Sequence, residues 1–175
     1  ANDGARNASY REACRRLGER LRAELGGARC LVWAPLRGAL PIWKAIAPHL
    51  AGLDVTVHFP VTSSFVFYPE RLGIRNRKGR PASGRTAHRL ELARVEPFLD
   101  AFDVLVYVDE IVSGGSLRGH LRDMLDLGVD RRLPVVAVGL ADRFGERSVP
   151  SRRQVDALVA SGRVRRFLWE GCACL

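Results

Sequence analysis

The chain is nearly devoid of lysine: Lys44 and Lys78 are the only two among 28 basic residues, which face 19 acidic ones. The net charge of +9 and the pI near 10.4 therefore rest on arginine. Its planar fork matches phosphate oxygens two at a time, so the balance favours anionic ligands: nucleotides, pyrophosphate or nucleic acid. A skewed coding composition would raise arginine just as well. Cysteine is scarce too. Cys14, Cys30, Cys172 and Cys174 include one Cys-x-Cys and no second pair at metal spacing, which weighs against a zinc site and against a disulfide-stapled fold. Reduced thiols are expected. No run of about 18 apolar residues and no signal-peptide pattern is present, so no membrane partner and a cytoplasmic location are expected. The first residue is Ala1 rather than Met, which suggests a trimmed chain. Neither repeats nor linkers divide the 175 residues, and a chain of this size buries roughly 70% of its unfolded surface. We read 1–175 as a single domain.

What is present concentrates in residues 104–117, VLVYVDEIVSGGSL. Val104 to Val108 form a nearly continuous apolar run, the pattern of a strand buried on both faces of a parallel sheet. The strand is expected to end near Val108. Asp109 and Glu110 follow, then the small turn Ser113-Gly114-Gly115-Ser116, then the helical spacing Leu117, Leu121, Met124, Leu125. A Gly/Ser loop at a helix start offers unobstructed backbone N–H groups, hydroxyl donors and the positive end of the helix dipole, which suits a phosphate. The carboxylates would repel that phosphate, and carboxylates accept well from vicinal hydroxyls. A sugar phosphate satisfies both halves. An ordinary strand-to-helix turn, with the acids solvating the strand end, fits the same residues.

Upstream, 7–25 reads as an amphipathic packing helix with Tyr10, Cys14, Leu17, Leu21 and Leu25 on one face. Residues 30–34 form a short apolar strand, followed by Pro35-Leu36-Arg37-Gly38-Ala39-Leu40-Pro41 and an apolar helix through Ile42, Trp43, Ile46 and Leu50. Arg37 and Gly38 together offer a fixed charge and close backbone approach to an anion, as would a plain surface turn carrying an Arg. Residues 54–61 alternate as a strand. The stretch 62–89 then loses periodicity and gathers Arg71, Arg75, Arg77, Lys78, Arg80, Arg85 and Arg89, a flexible basic loop of the length that is usually functional or disordered. Phe65, Phe67 and Tyr68 could stack on a base or line a core. Residues 90–102 read as a helix interrupted at Pro97, 116–127 as the helix after the phosphate loop, 134–140 as a buried strand, 151–160 as a helix led by Ser151, and 164–169 as a last strand. Alternating strands and helices give an α/β fold, a parallel twisted sheet flanked by helices and Rossmann-like, whose ligands sit at the carboxyl ends of the strands.

Asp109-Glu110-Ile111-Val112-Ser113-Gly114-Gly115-Ser116 resembles, position by position, the phosphoribosyl-pyrophosphate (PRPP) signature of the type I phosphoribosyltransferases. PLRGALP resembles that family's pyrophosphate loop, with Ala39 in place of its second glycine. Leu117 stands where many members carry a hydroxyl residue. The resemblance spans roughly 30–140 and implies a magnesium-dependent phosphoribosyltransferase that moves the phosphoribosyl group of PRPP to an acceptor base and releases pyrophosphate. By it, Asp109 and Glu110 hold the ribose hydroxyls, and Ser113, Gly114, Gly115, Ser116 and Leu117 wrap the 5′-phosphate. Arg37 and Gly38, with Arg77 and Lys78 from the closing basic loop, attend the pyrophosphate. Mg2+ is held by ligand oxygens, with no direct protein ligand assigned. A small hood from 143–175 would hold the base, with Trp169 a stacking candidate although a packed core Trp is the stronger reading, and a homodimer is the expected assembly. Ser113 stands where the 6-oxopurine enzymes carry an Asp, which makes hypoxanthine or guanine a poor guess for the acceptor. The same fold serves regulators that sense PRPP or nucleotides and bind nucleic acid, the alternative that the positive charge keeps open.

Overall fold

Strand-forming runs separated by helical spacing produce a single parallel sheet covered on both faces. The computed structural model describes residues 2–36, 38–60, 84–111, 115–142 and 148–172. In chain order these contain α1 (Asn2–Leu25), β1 (Cys30–Trp33), α2 (Ala39–Ile46) prolonged by the 3-10 turn Ala47–Leu50, and β2 (Val55–His58). Then come α3 (Gly84–Val95) prolonged by the 3-10 stretch Glu96–Ala101, β3 (Val104–Ile111), and α4 (Gly115–Asp126) followed by a 3-10 turn at Val129–Arg131. β4 (Val135–Asp142), α5 (Val149–Ala160) and β5 (Arg166–Cys172) complete the order. The strands lie in the order β2-β1-β3-β4-β5, every neighbouring pair parallel.

Alternation along each strand divides the core in two, because successive side chains leave opposite faces. On one face Val32, Val106, Val108, Val136, Val138 and Leu140 pack against Leu17 and Leu21 of α1 and Ile42 and Ile46 of α2. On the other, Leu31, Trp33, Leu105, Tyr107, Ile111 and Val135 pack against Leu92 of α3, Leu117, Leu121 and Met124 of α4, and Val155 of α5. Two-sided burial is why 104–108 and 134–140 read as unbroken apolar runs. Each fully buried aliphatic side chain contributes roughly 1.5–3 kcal/mol.

Several expected boundaries move. β3 runs on to Ile111, because Asp109 pairs in register with Gly139 and Glu110 with Leu140 of β4; the acidic pair belongs to the strand rather than to the loop after it. α1 begins at Asn2, five residues earlier than its apolar face suggests. α3 begins at Gly84, so 84–89 of the expected basic loop are helical, and the rest of that loop, 62–83, lies outside the described residues. α3 gives way to a 3-10 stretch where Pro97 occupies its first turn. α5 starts at Val149 with Pro150 in its first turn, which places Ser151 inside the helix and buried rather than at its cap. The described part of the segment expected to carry a hood, 148–172, supplies α5 and β5. Cys172 is disulfide-bonded, against the expectation of reduced thiols, whereas Cys14 and Cys30 are free and buried in the first core. Among the described residues no helix is long and apolar enough to cross a membrane.

Candidate active site

The sheet order places the topological switch point between β1 and β3: from β1 the chain winds outward to β2, and from β3 it winds the other way to β4 and β5. In open parallel sheets a crevice opens there, at the carboxyl ends of the strands. Five residues separate the end of β1 from α2 and three separate the end of β3 from α4, so both helices aim their amino ends toward that crevice. Neither carries an acidic residue in its first turn, and Gly38, at the N-cap of α2, makes no side-chain cap. Two positive dipole ends thus face the crevice, a feature that favours an anion.

Between them stands the acidic pair. Consecutive strand residues point to opposite faces, so Asp109 turns toward the α4 side with Tyr107, and Glu110 toward the α1/α2 side, where its charge is felt by Tyr10 of α1. Gly38 reaches both. A Cβ on it would lie 3.3 Å from Glu110 Oε2 and 3.5 Å from Asp109 Oδ1. The turn after β1 therefore lies close against the carboxylates at the end of β3, and a larger side chain at position 38 would press on Glu110. Asp109 is 6% exposed. Its Oδ2 accepts from the Tyr107 hydroxyl at 2.8 Å and its Oδ1 from the Glu110 backbone N–H at 2.8 Å. Burial pushes its carboxyl up to about 7, because those two donors recover only part of the lost hydration. Burial also raises Glu110, which is half-buried. Two carboxyls of this kind favour incoming donors: ligand hydroxyls, or cations carried in by a ligand.

Of the residues expected to form the site, Gly38, Asp109, Glu110, Gly115, Ser116 and Leu117 are described, and they collect at this edge of the sheet. Ser116 is exposed at the start of α4. The Leu117 side chain is fully buried in the second core, which leaves its backbone N–H as its only means of binding. Arg37, Arg77, Lys78, Ser113 and Gly114 lie outside the described residues. Trp169 packs against the second core, its ring 4.2 Å from the Arg152 guanidinium carbon, so its stacking partner is an arginine of α5. Among the described residues no group of three or more His, Cys, Asp or Glu is placed to hold a metal ion.

A polar chain beneath the site has no counterpart among the sequence-based expectations. Tyr107, fully buried, bonds His120 Nδ1 at 2.7 Å as well as Asp109. The His120 ring stacks on His88 of α3, with centroids 4.1 Å apart and planes 25° from parallel. His88 Nδ1 lies 3.3 Å from Asp123 Oδ2, and Arg89 Nε lies 3.7 Å from Asp123 Oδ1. One signal for it was available: His120 continues the buried spacing Leu117, Leu121, Met124, which makes it a polar residue at a core position of α4. A concavity of about 350 Å3 lies elsewhere, in the α4–α5 groove lined by Arg118, Arg122, Leu125, Gln154, Leu158 and Arg163. It shares no residue with the crevice, whose own chemistry identifies it better than cavity size.

Fold and site define an α/β protein with a doubly wound parallel sheet and an anion-favouring, acid-lined crevice at its switch point. No family model and no curated protein sequence matches the chain. Among solved structures it is similar to a hypoxanthine-guanine phosphoribosyltransferase from Bacillus anthracis, at 18% identity over 79% of this chain and 70% of that one, TM-score 0.44. It is also similar to a Helicobacter pylori xanthine-guanine-hypoxanthine phosphoribosyltransferase, at 14% identity over 91% and 80%, TM-score 0.43. A third similar structure is described as the XylFII molecule, at 13% identity over 89% of this chain and 47% of that one, TM-score 0.49.

Proposed function

We propose that the protein is a phosphoribosyltransferase, which moves the 5-phosphoribosyl group of PRPP to an acceptor base and releases pyrophosphate. One observation carries the reading: Gly38, in the turn after β1, lies so close to Asp109 and Glu110 at the end of β3 that a Cβ on it would meet both carboxylates, at the start of one helix and just ahead of another. A ligand with two vicinal hydroxyls flanked by two anionic groups suits that juxtaposition, and PRPP is such a ligand. Asp109 and Glu110 accept from the ribose hydroxyls. The backbone at Gly115, Ser116 and Leu117, with Ser113 and Gly114, cradles the 5′-phosphate, each charge-assisted bond contributing about 1.5–3 kcal/mol. Gly38 lets the α2 amino end approach the pyrophosphate, whose charge is matched by Arg37, Arg77 and Lys78.

Cleavage of the ribose–pyrophosphate bond leaves positive charge on the ribosyl centre, so the protein's part is positioning and charge balance rather than covalent chemistry. Burial of the two carboxyls suits this role, since anions in a dry pocket stabilise a cationic centre more strongly than anions in water. Mg2+ belongs to the proposal as an ion that would arrive with the pyrophosphate and would supply neutralising charge to the leaving group. The donor set fits an ion that arrives this way, because both Asp109 oxygens already accept hydrogen bonds. The alternative of a nucleic-acid-binding regulator gains little from the described surface, where Arg15, Arg16, Arg20, Arg29, Arg163 and Arg165 are engaged by carboxylates. The test is pyrophosphate release from PRPP and magnesium across a panel of purine, pyrimidine and other heterocyclic acceptors. Release with one acceptor, abolished by the double change Asp109→Ala and Glu110→Gln, is expected; release insensitive to that change would overturn the assignment.

A further inference from the structure

The Tyr107 hydroxyl has one hydrogen and two partners, and this constrains the site above. It lies 2.8 Å from Asp109 Oδ2 and 2.7 Å from His120 Nδ1, all three side chains buried. We propose that Tyr107 and His120 are positioning residues that decide which form of Asp109 meets the ligand, the Tyr107 hydroxyl passing a proton between imidazole and carboxyl.

Two arrangements satisfy the donors and acceptors. In the first, Nδ1–H of His120 donates to the Tyr107 oxygen, and the Tyr107 hydroxyl donates to an ionised Asp109. In the second, a protonated Oδ2 donates to the Tyr107 oxygen, and the hydroxyl donates to an unprotonated Nδ1. The first becomes the second when the imidazole takes up one proton at Nε2, Nδ1 gives its own to Tyr107, and Tyr107 gives its own to Oδ2. One proton enters. The rise of the Asp109 carboxyl to about 7 puts the exchange near neutral pH.

Among the described residues, the groups facing this unit come from β3, α4, α3 and β1. On β3, Glu110 points to the opposite face beside Tyr10 of α1. On α4, Asp123 follows His120 by one turn. From α3, His88 stacks on the His120 ring and meets Asp123, and Arg89 lies beside the same carboxylate. Trp33 of β1 sets its edge against His88 and separates it from His58 of β2, which pairs with Glu91 of α3. The chain of contacts links α3, the helix that follows the 61–83 segment, to the carboxylate of the crevice. The consequence for ligand binding rests on the phosphoribosyl reading; the proton exchange does not.

The test uses the full chain with 15N-labelled histidine, in which the His120 ring signals are those lost in His120→Asn. Above about pH 8, where Asp109 is ionised, the neutral His120 ring should carry its proton on Nδ1. Asp109→Asn should move it to Nε2, because the amide oxygen is held by the Glu110 N–H and the amide nitrogen must then donate to Tyr107. Adding Tyr107→Phe should abolish the difference. The same tautomer in the parent protein and in Asp109→Asn would overturn the exchange. In the parent, the Asp109 carboxyl and the His120 ring should titrate with a common midpoint, and independent midpoints would likewise overturn it. PRPP binding with an unchanged tautomer would refute the exchange and keep the ribose assignment. A tautomer change without PRPP binding would keep the exchange and refute the phosphoribosyl reading alone.

Discussion

Asp109→Asn should make the protein more stable, and more so as the pH rises. The carboxyl ionises near 3.8 in the unfolded chain and near 7 in the folded one, with burial as the main cause. Below the lower value both states hold the proton and the group costs nothing. Between the two values the folded state keeps a proton that the unfolded state has lost, so stability falls as pH rises, and above about 7 the whole difference is lost. A rise of this size corresponds to about 4 kcal/mol, of which about 3 kcal/mol is lost between about pH 5 and about pH 8. Asparagine keeps both contacts, its oxygen accepting from Glu110 N–H and its nitrogen donating to Tyr107, and removes the titration. Urea unfolding of both proteins at the two pH values isolates the effect, because groups that do not interact with Asp109 cancel in the comparison. The variant's advantage should grow by about 3 kcal/mol from the acidic to the alkaline condition, or by roughly 6–12 °C in melting temperature for a chain of this length. An advantage that is equal at both pH values would show that Asp109 is ionised throughout, and the reasoning from its burial would fail.

Other outcomes follow from the same geometry. Binding of PRPP should weaken as pH falls below about 7 and should release a proton near neutrality, since donors arriving at Asp109 favour its ionised form; calorimetry in buffers of different ionisation enthalpy reads this directly. Gly139→Ala should destabilise the fold by about 1–3 kcal/mol in denaturant unfolding, because a Cβ there would overlap Cδ1 and Cγ1 of the fully buried Ile111. Cys30, whose thiol burial pushes up to about 12, and Cys14, raised by the same cause, should resist alkylation in the native protein and react after unfolding.

The sheet is legible in the sequence because two-sided burial leaves no polar position in 104–108 or 134–140, and helical spacing resumes between such runs. The crevice is legible because carboxylates at a strand end and glycines at a helix start are costly in a core and so mark an edge. Boundaries are less so. Nothing in the composition of Asp109 and Glu110 reveals that β4 pairs with them to the end of the strand, since that pairing is a property of the neighbour. The early start of α3 is hidden likewise, because Arg85 and Arg89 look like loop residues when only charge is counted. The Tyr107–His120–His88 chain was out of reach for a stronger reason: it joins β3, α4 and α3 through contacts up to 35 residues apart, and only the packing of both helices on one face of the sheet brings them together.

The most direct test of the phosphoribosyl site is calorimetric titration of the full chain with PRPP, with and without magnesium, alongside Glu110→Gln. Binding that requires magnesium and weakens at least tenfold in the variant, a loss of about 1.4 kcal/mol, is the expected result. A folded protein that does not bind PRPP under either condition, or binds it equally well without the Glu110 charge, would contradict it.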